Sequence, residues 1–303
     1  MKAIRTLLGA LAALPLLAGA AAANPYAENI TARLLPGWRQ ADGRHVAGLE
    51  LRLAEGWKTY WRVPGEAGVP PVFSWRGSDN LQSASVVWPR PVVFDQNGMR
   101  SIGYVEHVVL PLVITPRSPD APITLRGDMM IGICDEVCVP VEMRLTGVLE
   151  PNGGHRDPAI AAAMASRPFS AQEGKVASVD CRVGPGRHGI ALQVDIDMPS
   201  AGGTETVVVE SADPRVWAAD ADSARQGARL TGQTELMHES GGAFALDRSA
   251  LTFTVLGRDR TVEIKGCDCA ARAAAVRPTA AAASPHSSPP GRRPRPPGPP
   301  FHR

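Results

Sequence analysis

Short apolar or alternating runs, each ended by Gly, Pro, Asn or Asp, recur along most of this chain. Residues 45–57, 83–89, 107–116, 121–133 and 139–149 are the clearest examples in the first half. Within residues 48–53, Leu49, Leu51 and Leu53 fall on one face, while Glu50 and Arg52 fall on the other. That period of two marks a half-buried strand. Many short strands separated by turn signals read as an antiparallel sandwich.

Residues 151–174 break the pattern. They open with turn residues and then offer one helix, residues 158–166, with Pro158 at its start. Strand-like runs resume at Lys175, and the alternation in 191–197 is clean. The expected organisation is a first β domain over residues 24–150, a linker with a short helix over 151–174, and a second β-sandwich over 175–268. The second is close to the ~100 residues of an immunoglobulin-like unit.

The ends differ in character. Lys2 and Arg5 precede an apolar run over residues 7–18, and small residues Ala21 and Ala23 follow. This is the layout of a cleavable secretory signal, residues 1–23, rather than an anchor. No later stretch reaches the ~18 apolar residues of a membrane span. The mature chain is therefore expected to be soluble and exported, with a bacterial periplasm as destination. Residues 269–303 are rich in Pro, Ala and Arg, with almost no large apolar residue, and are expected to be disordered. Formal net charge is +2 with both signs interspersed, so neither a nucleic-acid groove nor a polybasic membrane patch is expected.

The five cysteines are Cys134, Cys138, Cys181, Cys267 and Cys269. Four extended residues span about 13–14 Å, whereas a disulfide needs Cα atoms roughly 4.4–6.8 Å apart. Joining Cys134 to Cys138 therefore requires a turn over Asp135, Glu136 and Val137. Residues 129–133 and 139–145 read as the two strands of a hairpin. Pro140 cannot donate to a ladder, which places the second strand at a sheet edge, with the pair near the surface. So small a loop gives little chain-entropy stabilisation, and small exposed disulfides tend to be labile. Redox exchange, an inert staple and metal binding are the competing roles. Asp135 and Glu136 disfavour a nearby thiolate, and the loop holds no cation to offset them.

Zinc requires about four ligands, and this pair supplies half of them. Copper(I) is a softer alternative, because Met129, Met130 and Met143 flank the cysteines; core filling is the ordinary role of such methionines. No resident metal or cofactor is expected. Cys181 and Cys267 lie near the two ends of the second β region. A link between them encloses about 86 residues, worth roughly 4–5 kcal/mol in the loop-entropy picture. Cys269 competes with Cys267 for that partner, and Cys269 is expected to be the one left over.

Three segments carry a resemblance: GWKTYWRVPGEAGVPP from Gly56, WPRPVVFDQNGMRSIGYVEHVVLPLVI from Trp88 and GICDEVCVPVEMRL from Gly132. Together they resemble the N-terminal periplasmic domain of the disulfide reductase DsbD, nearest to its form in ScsB, the suppressor-of-copper-sensitivity reductase. The resemblance covers about residues 27–150 and, more loosely, the second β domain. It implies an immunoglobulin-like sandwich, so the fold class expected is all-β with two immunoglobulin-like sandwiches. It further implies a thiol:disulfide oxidoreductase whose Cys134/Cys138 pair carries electrons between a membrane-embedded thiol reductase and periplasmic thioredoxin-like proteins. Cytochrome c biogenesis and copper tolerance are the processes associated with it.

The resemblance also implies an aromatic cap over the cysteines, for which Phe94 is the candidate and residues 95–98 the loop. Asp95, Tyr104 and His107 are candidate neighbours, alongside Asp135 and Glu136. Trp57, Tyr60 and Trp61 read as core. Cys138 is the expected attacking cysteine, because Asp135 directly follows Cys134. Neither a membrane span nor a thioredoxin-like segment is read in this sequence, so the expectation is either that a separate membrane protein feeds this module or that it has been repurposed. The alternative function is a non-enzymatic copper(I)-handling or protein-binding sandwich.

Overall fold

The computed structural model describes residues 24–152 and 154–267. The expected signal segment, the expected disordered tail and Cys269 lie outside the described residues.

The first ten strands are β1 (Ile30–Arg39), β2 (His45–Leu53), β3 (Lys58–Gly65), β4 (Val72–Ser74), β5 (Leu81–Val86), β6 (Val92–Gln96), β7 (Met99–Val105), β8 (His107–Pro116), β9 (Ile123–Cys134) and β10 (Cys138–Leu149). They form two sheets, ordered β1-β2-β8-β5 and β10-β9-β3-β7-β6, with β4 added on β9. Leu49, Leu51, Leu110 and Leu112 from the first sheet meet Trp61, Ile102, Ile131 and Ile133 from the second in one apolar core. Each such side chain contributes about 1.5–3 kcal/mol on burial.

Alternation along β2 holds for Leu49 and Leu51, but Glu50 is not solvated as its period suggested. It is only 3% exposed. Burial pushes its carboxyl up, but hydrogen bonds from Arg33, His107 and Arg52 outweigh this and hold it at about 2. Arg33 stands directly opposite on β1, so a paired carboxylate replaces a wet one.

Helix α1 (Pro158–Ala165) forms where Pro158 signals it. Asp157 caps it by accepting from the backbone N–H groups of Ala159 and Ile160. The helix is docked, since Ile160 packs with Leu35, Val46 and Val109 on the outside of the first sandwich. Gly48 makes room, because a Cβ there would lie 2.8 Å from Ile160 Cγ1.

The remaining strands are β11 (Phe169–Ser170), β12 (Ser178–Pro185), β13 (Ile190–Asp197), β14 (Thr206–Glu210), β15 (Val216–Ala218), β16 (Asp222–Gln226), β17 (Arg229–His238), β18 (Thr252–Leu256) and β19 (Thr261–Lys265). Their sheets run β11-β19-β18-β14 and β12-β13-β17-β15, with β16 on β17. A second core of Leu192, Val194, Ile196, Phe253, Val255 and Ile264 lies between them. The fold is all-β, two immunoglobulin-like sandwiches in series.

The two sandwiches touch. Arg62 on β3 makes a bidentate pair with Glu210, both contacts at 2.8 Å, and reaches Glu263 at 2.6 Å. Its guanidinium also lies over the Trp61 ring, 4.2 Å from the centroid. Val208 and Leu256 of the second sandwich join the first core.

Candidate functional site

β9 and β10 pair in unbroken register from Ile123↔Leu149 to Cys134↔Cys138, and residues 135–137 close the hairpin. β-branched Ile131, Ile133, Val139 and Val141 favour the extended chain up to the cysteines. The Cys134 and Cys138 Cα atoms stand 4.1 Å apart and the sulfurs are bonded at 2.00 Å. β10 is an edge strand, and Pro140 on it is exposed. The Pro140 carbonyl accepts from Asn24 Nδ2 at 2.9 Å.

The two sulfurs are not equivalent. Cys134 is 0% exposed, whereas Cys138 is half-buried. This corrects the expectation that the whole pair lies near the surface. Cys134 is flanked by β10 on one side and β3 on the other, while Cys138 has a strand on one side only.

One rung of the sheet carries the site. Cys138 faces Cys134 on β9, Cys134 faces Lys58 on β3, and Lys58 faces Val105 on β7. Directly opposed residues share a face, and this face is turned away from the core, because the next rung inward holds buried Ile133 and Thr59. Tyr60, two residues along β3, therefore lies on the cysteine side, and its hydroxyl donates to Cys138 Sγ at 3.3 Å. Burial raises its phenol pKa, so it remains a donor. Gly132 allows this placement, since a Cβ there would lie 2.8 Å from Tyr60 Cδ2 and from Val69 Cβ.

The β6–β7 hairpin approaches from the other edge. Its turn residues Asn97 and Gly98 both have positive φ, 54° and 83°, which a two-residue hairpin turn of this hand requires. Asp95 is exposed and its carboxylate accepts from Gly98 N at 3.0 Å, so it shapes the turn. Gln96 hydrogen-bonds the cysteine loop, and the register places Phe94 on the same outward face. Gln96 is 5% exposed and its Nε2 donates to the Asp135 carbonyl at 2.9 Å. Phe94 is half-buried, and its ring lies 5.8 Å from Lys58 Nζ.

Other candidates are placed elsewhere. Tyr104 points into the core, with its hydroxyl donating to Pro89 O at 2.8 Å. His107 pairs with Glu50 at 3.1 Å on the opposite sheet. Proximity in sequence misled here, because β7 and β8 belong to different sheets. Asp135 and Glu136 are exposed beside the sulfurs. Met129 and Met143 oppose each other against the core, while Met130, one residue on, faces the other way. The three methionines therefore do not share one face of the sheet, although all three line one cavity at its edge. Among the described residues no group of three His, Cys, Asp or Glu side chains could hold a metal ion.

Cys181 on β12 is bonded to Cys267, just after β19, with Cα atoms 5.5 Å apart. The bond crosses between the two sheets of the second sandwich, and Cys267 is 3% exposed.

Two residues escaped as site residues, Lys58 and Tyr60, and a third, Gln96, lay in the expected cap loop without being singled out. The signal for two of them was present. In Lys58-Thr59-Tyr60-Trp61 a period of two separates Lys58 and Tyr60 from the core pair Thr59 and Trp61. Which residue of the expected cap loop meets the cysteine turn, here Gln96, depends on how the hairpin bends.

The family described as thiol:disulfide interchange protein DsbD, N-terminal, matches residues 31–150. Among solved structures, the N-terminal periplasmic domain of ScsB from Proteus mirabilis is similar at 23% identity, covering 80% of this chain and 94% of that one with a TM-score of 0.60. That likeness extends the shared fold into the second sandwich. The reduced DsbD N-terminal domain of Neisseria meningitidis is also matched, at 16% identity over 43% of this chain and 91% of that one, with a TM-score of 0.28. No curated protein sequence matches. No helix among the described residues is long and apolar enough to cross a membrane. The cysteine hairpin and the first sandwich thus fall inside the segment, residues 31–150, that matches the family described as thiol:disulfide interchange protein DsbD, N-terminal.

Proposed function

We propose that this chain is a periplasmic electron carrier that passes reducing equivalents between a membrane-embedded thiol reductase and thioredoxin-like proteins. One observation carries the reading: an edge-strand disulfide with one reachable sulfur, Cys138, and one sealed sulfur, Cys134. Only Cys138 can meet a partner's thiolate. The partner sulfur bonds to Cys138 and the Cys134–Cys138 bond breaks. A second partner thiol then displaces Cys138, leaving the partner oxidised and this pair reduced. In the opposite direction Cys138 attacks a partner disulfide, and Cys134 resolves the mixed disulfide. The Gln96 hydrogen bond to Asp135 supports a cover role for the β6–β7 hairpin.

The test is a redox titration in glutathione buffers, with the Cys134 and Cys138 peptides quantified by mass spectrometry. The midpoint is expected in the exchange range, about −270 to −120 mV. A pair that stays oxidised below about −300 mV is a staple, and the reading fails.

A further inference from the structure

Attack on Cys138 sends the electron pair of the broken S–S bond onto Cys134. That sulfur is 0% exposed, and desolvation penalises a buried thiolate. Asp135 and Glu136 beside it add repulsion of the same sign. A lower-pKa leaving thiol departs faster, so exchange through this pair calls for a cation facing Cys134.

β3 provides one. Lys58 stands directly across from Cys134, a relation that puts Cβ atoms about 4.5–5.5 Å apart. Its ammonium donates to Gly56 O at 3.1 Å and lies 5.8 Å from the Phe94 ring centroid. No carboxylate pairs with it within 4.0 Å among the described residues. The surrounding charges are otherwise acidic or neutral. Asp135 and Glu136 project from the cysteine loop, and Asp95 is tied to Gly98 N. Glu106 accepts from Gly56 N at 3.1 Å. Tyr60 is a neutral donor to the other sulfur.

We propose that Lys58 is a positioning residue for thiol exchange, its ammonium stabilising the Cys134 thiolate. The electron pair that leaves Cys138 rests there, and the same thiolate later attacks Cys138 to release a bound partner. This role deepens the exchange reading and rests on it.

The test uses the full chain with Cys138→Ala, so that Cys134 is a free thiol whatever the potential of the pair. The Cβ chemical shift of Cys134 is followed against pH with Lys58 kept, Lys58→Met and Lys58→Arg. Methionine keeps most of the apolar stem and removes the charge. The midpoint is expected to rise by about 1 pH unit or more in Lys58→Met, and Lys58→Arg is expected to restore it. An unmoved midpoint in Lys58→Met overturns the role of Lys58. That outcome beside a normal redox titration leaves the exchange reading standing, while a pair that refuses reduction sinks the exchange reading itself.

Discussion

The chain has two disulfides that differ in nearly every physical respect. Cys134–Cys138 closes a separation of 4 along one hairpin, on the outward face of one sheet. Cys181–Cys267 closes a separation of 86 and ties two sheets together beside a packed core. The first restricts the unfolded chain little and leaves one sulfur within reach. The second restricts it greatly and buries Cys267. The two bonds thus differ in loop length and in burial, the two properties that separate a labile disulfide from a structural one.

The largest expected effect follows from loop length. Replacing Cys181 and Cys267 together by Ala is expected to cost about 4–5 kcal/mol, and replacing Cys134 and Cys138 about 2 kcal/mol. Urea unfolding of the two variants measures both. Equal losses would break the contrast between staple and exchange pair.

Much of this was legible beforehand, for reasons that differ by element. The β9–β10 hairpin could be read because its constraint is local: spacing, three turn residues and Pro140 suffice. Helix α1 was legible because Pro158 marks its start. The sheet partners of the cysteines were not. That Lys58 faces Cys134 depends on β3 pairing with β9, about 75 residues further along, and no local pattern encodes that register. His107 was misplaced for the same reason. Glu50 looked solvated because alternation reports faces, not the arginines that cover them.

The second expected effect is kinetic. Under non-denaturing dithiothreitol, Cys134–Cys138 is expected to open at least about tenfold faster than Cys181–Cys267. Timed acid quench and mass spectrometry separate the two. Opening at one common rate would mean that burial of Cys267 gives no protection, and the contrast would reduce to loop length alone.

The smallest effect tests the electrostatics of the exchange pair, where two signs of charge compete. Lys58 stands across the sheet from Cys134, whereas Asp135 and Glu136 stand exposed in the turn between the two cysteines. In the reduced protein these carboxylates disfavour a Cys138 thiolate, and water screens much of the effect. Asp135→Asn with Glu136→Gln keeps the shapes and removes both charges. Alkylation of Cys138 by iodoacetamide at neutral pH is expected to speed up about three- to fivefold. A neutral reagent matters, because a charged one would report its own attraction to the loop. Raising salt in the unsubstituted protein should reproduce part of the gain, since screening weakens the same repulsion. An unchanged or slower rate would mean that Tyr60, not the acids, governs the reachable thiol. Its hydroxyl stands 3.3 Å from that sulfur, and Tyr60→Phe would then carry the larger change.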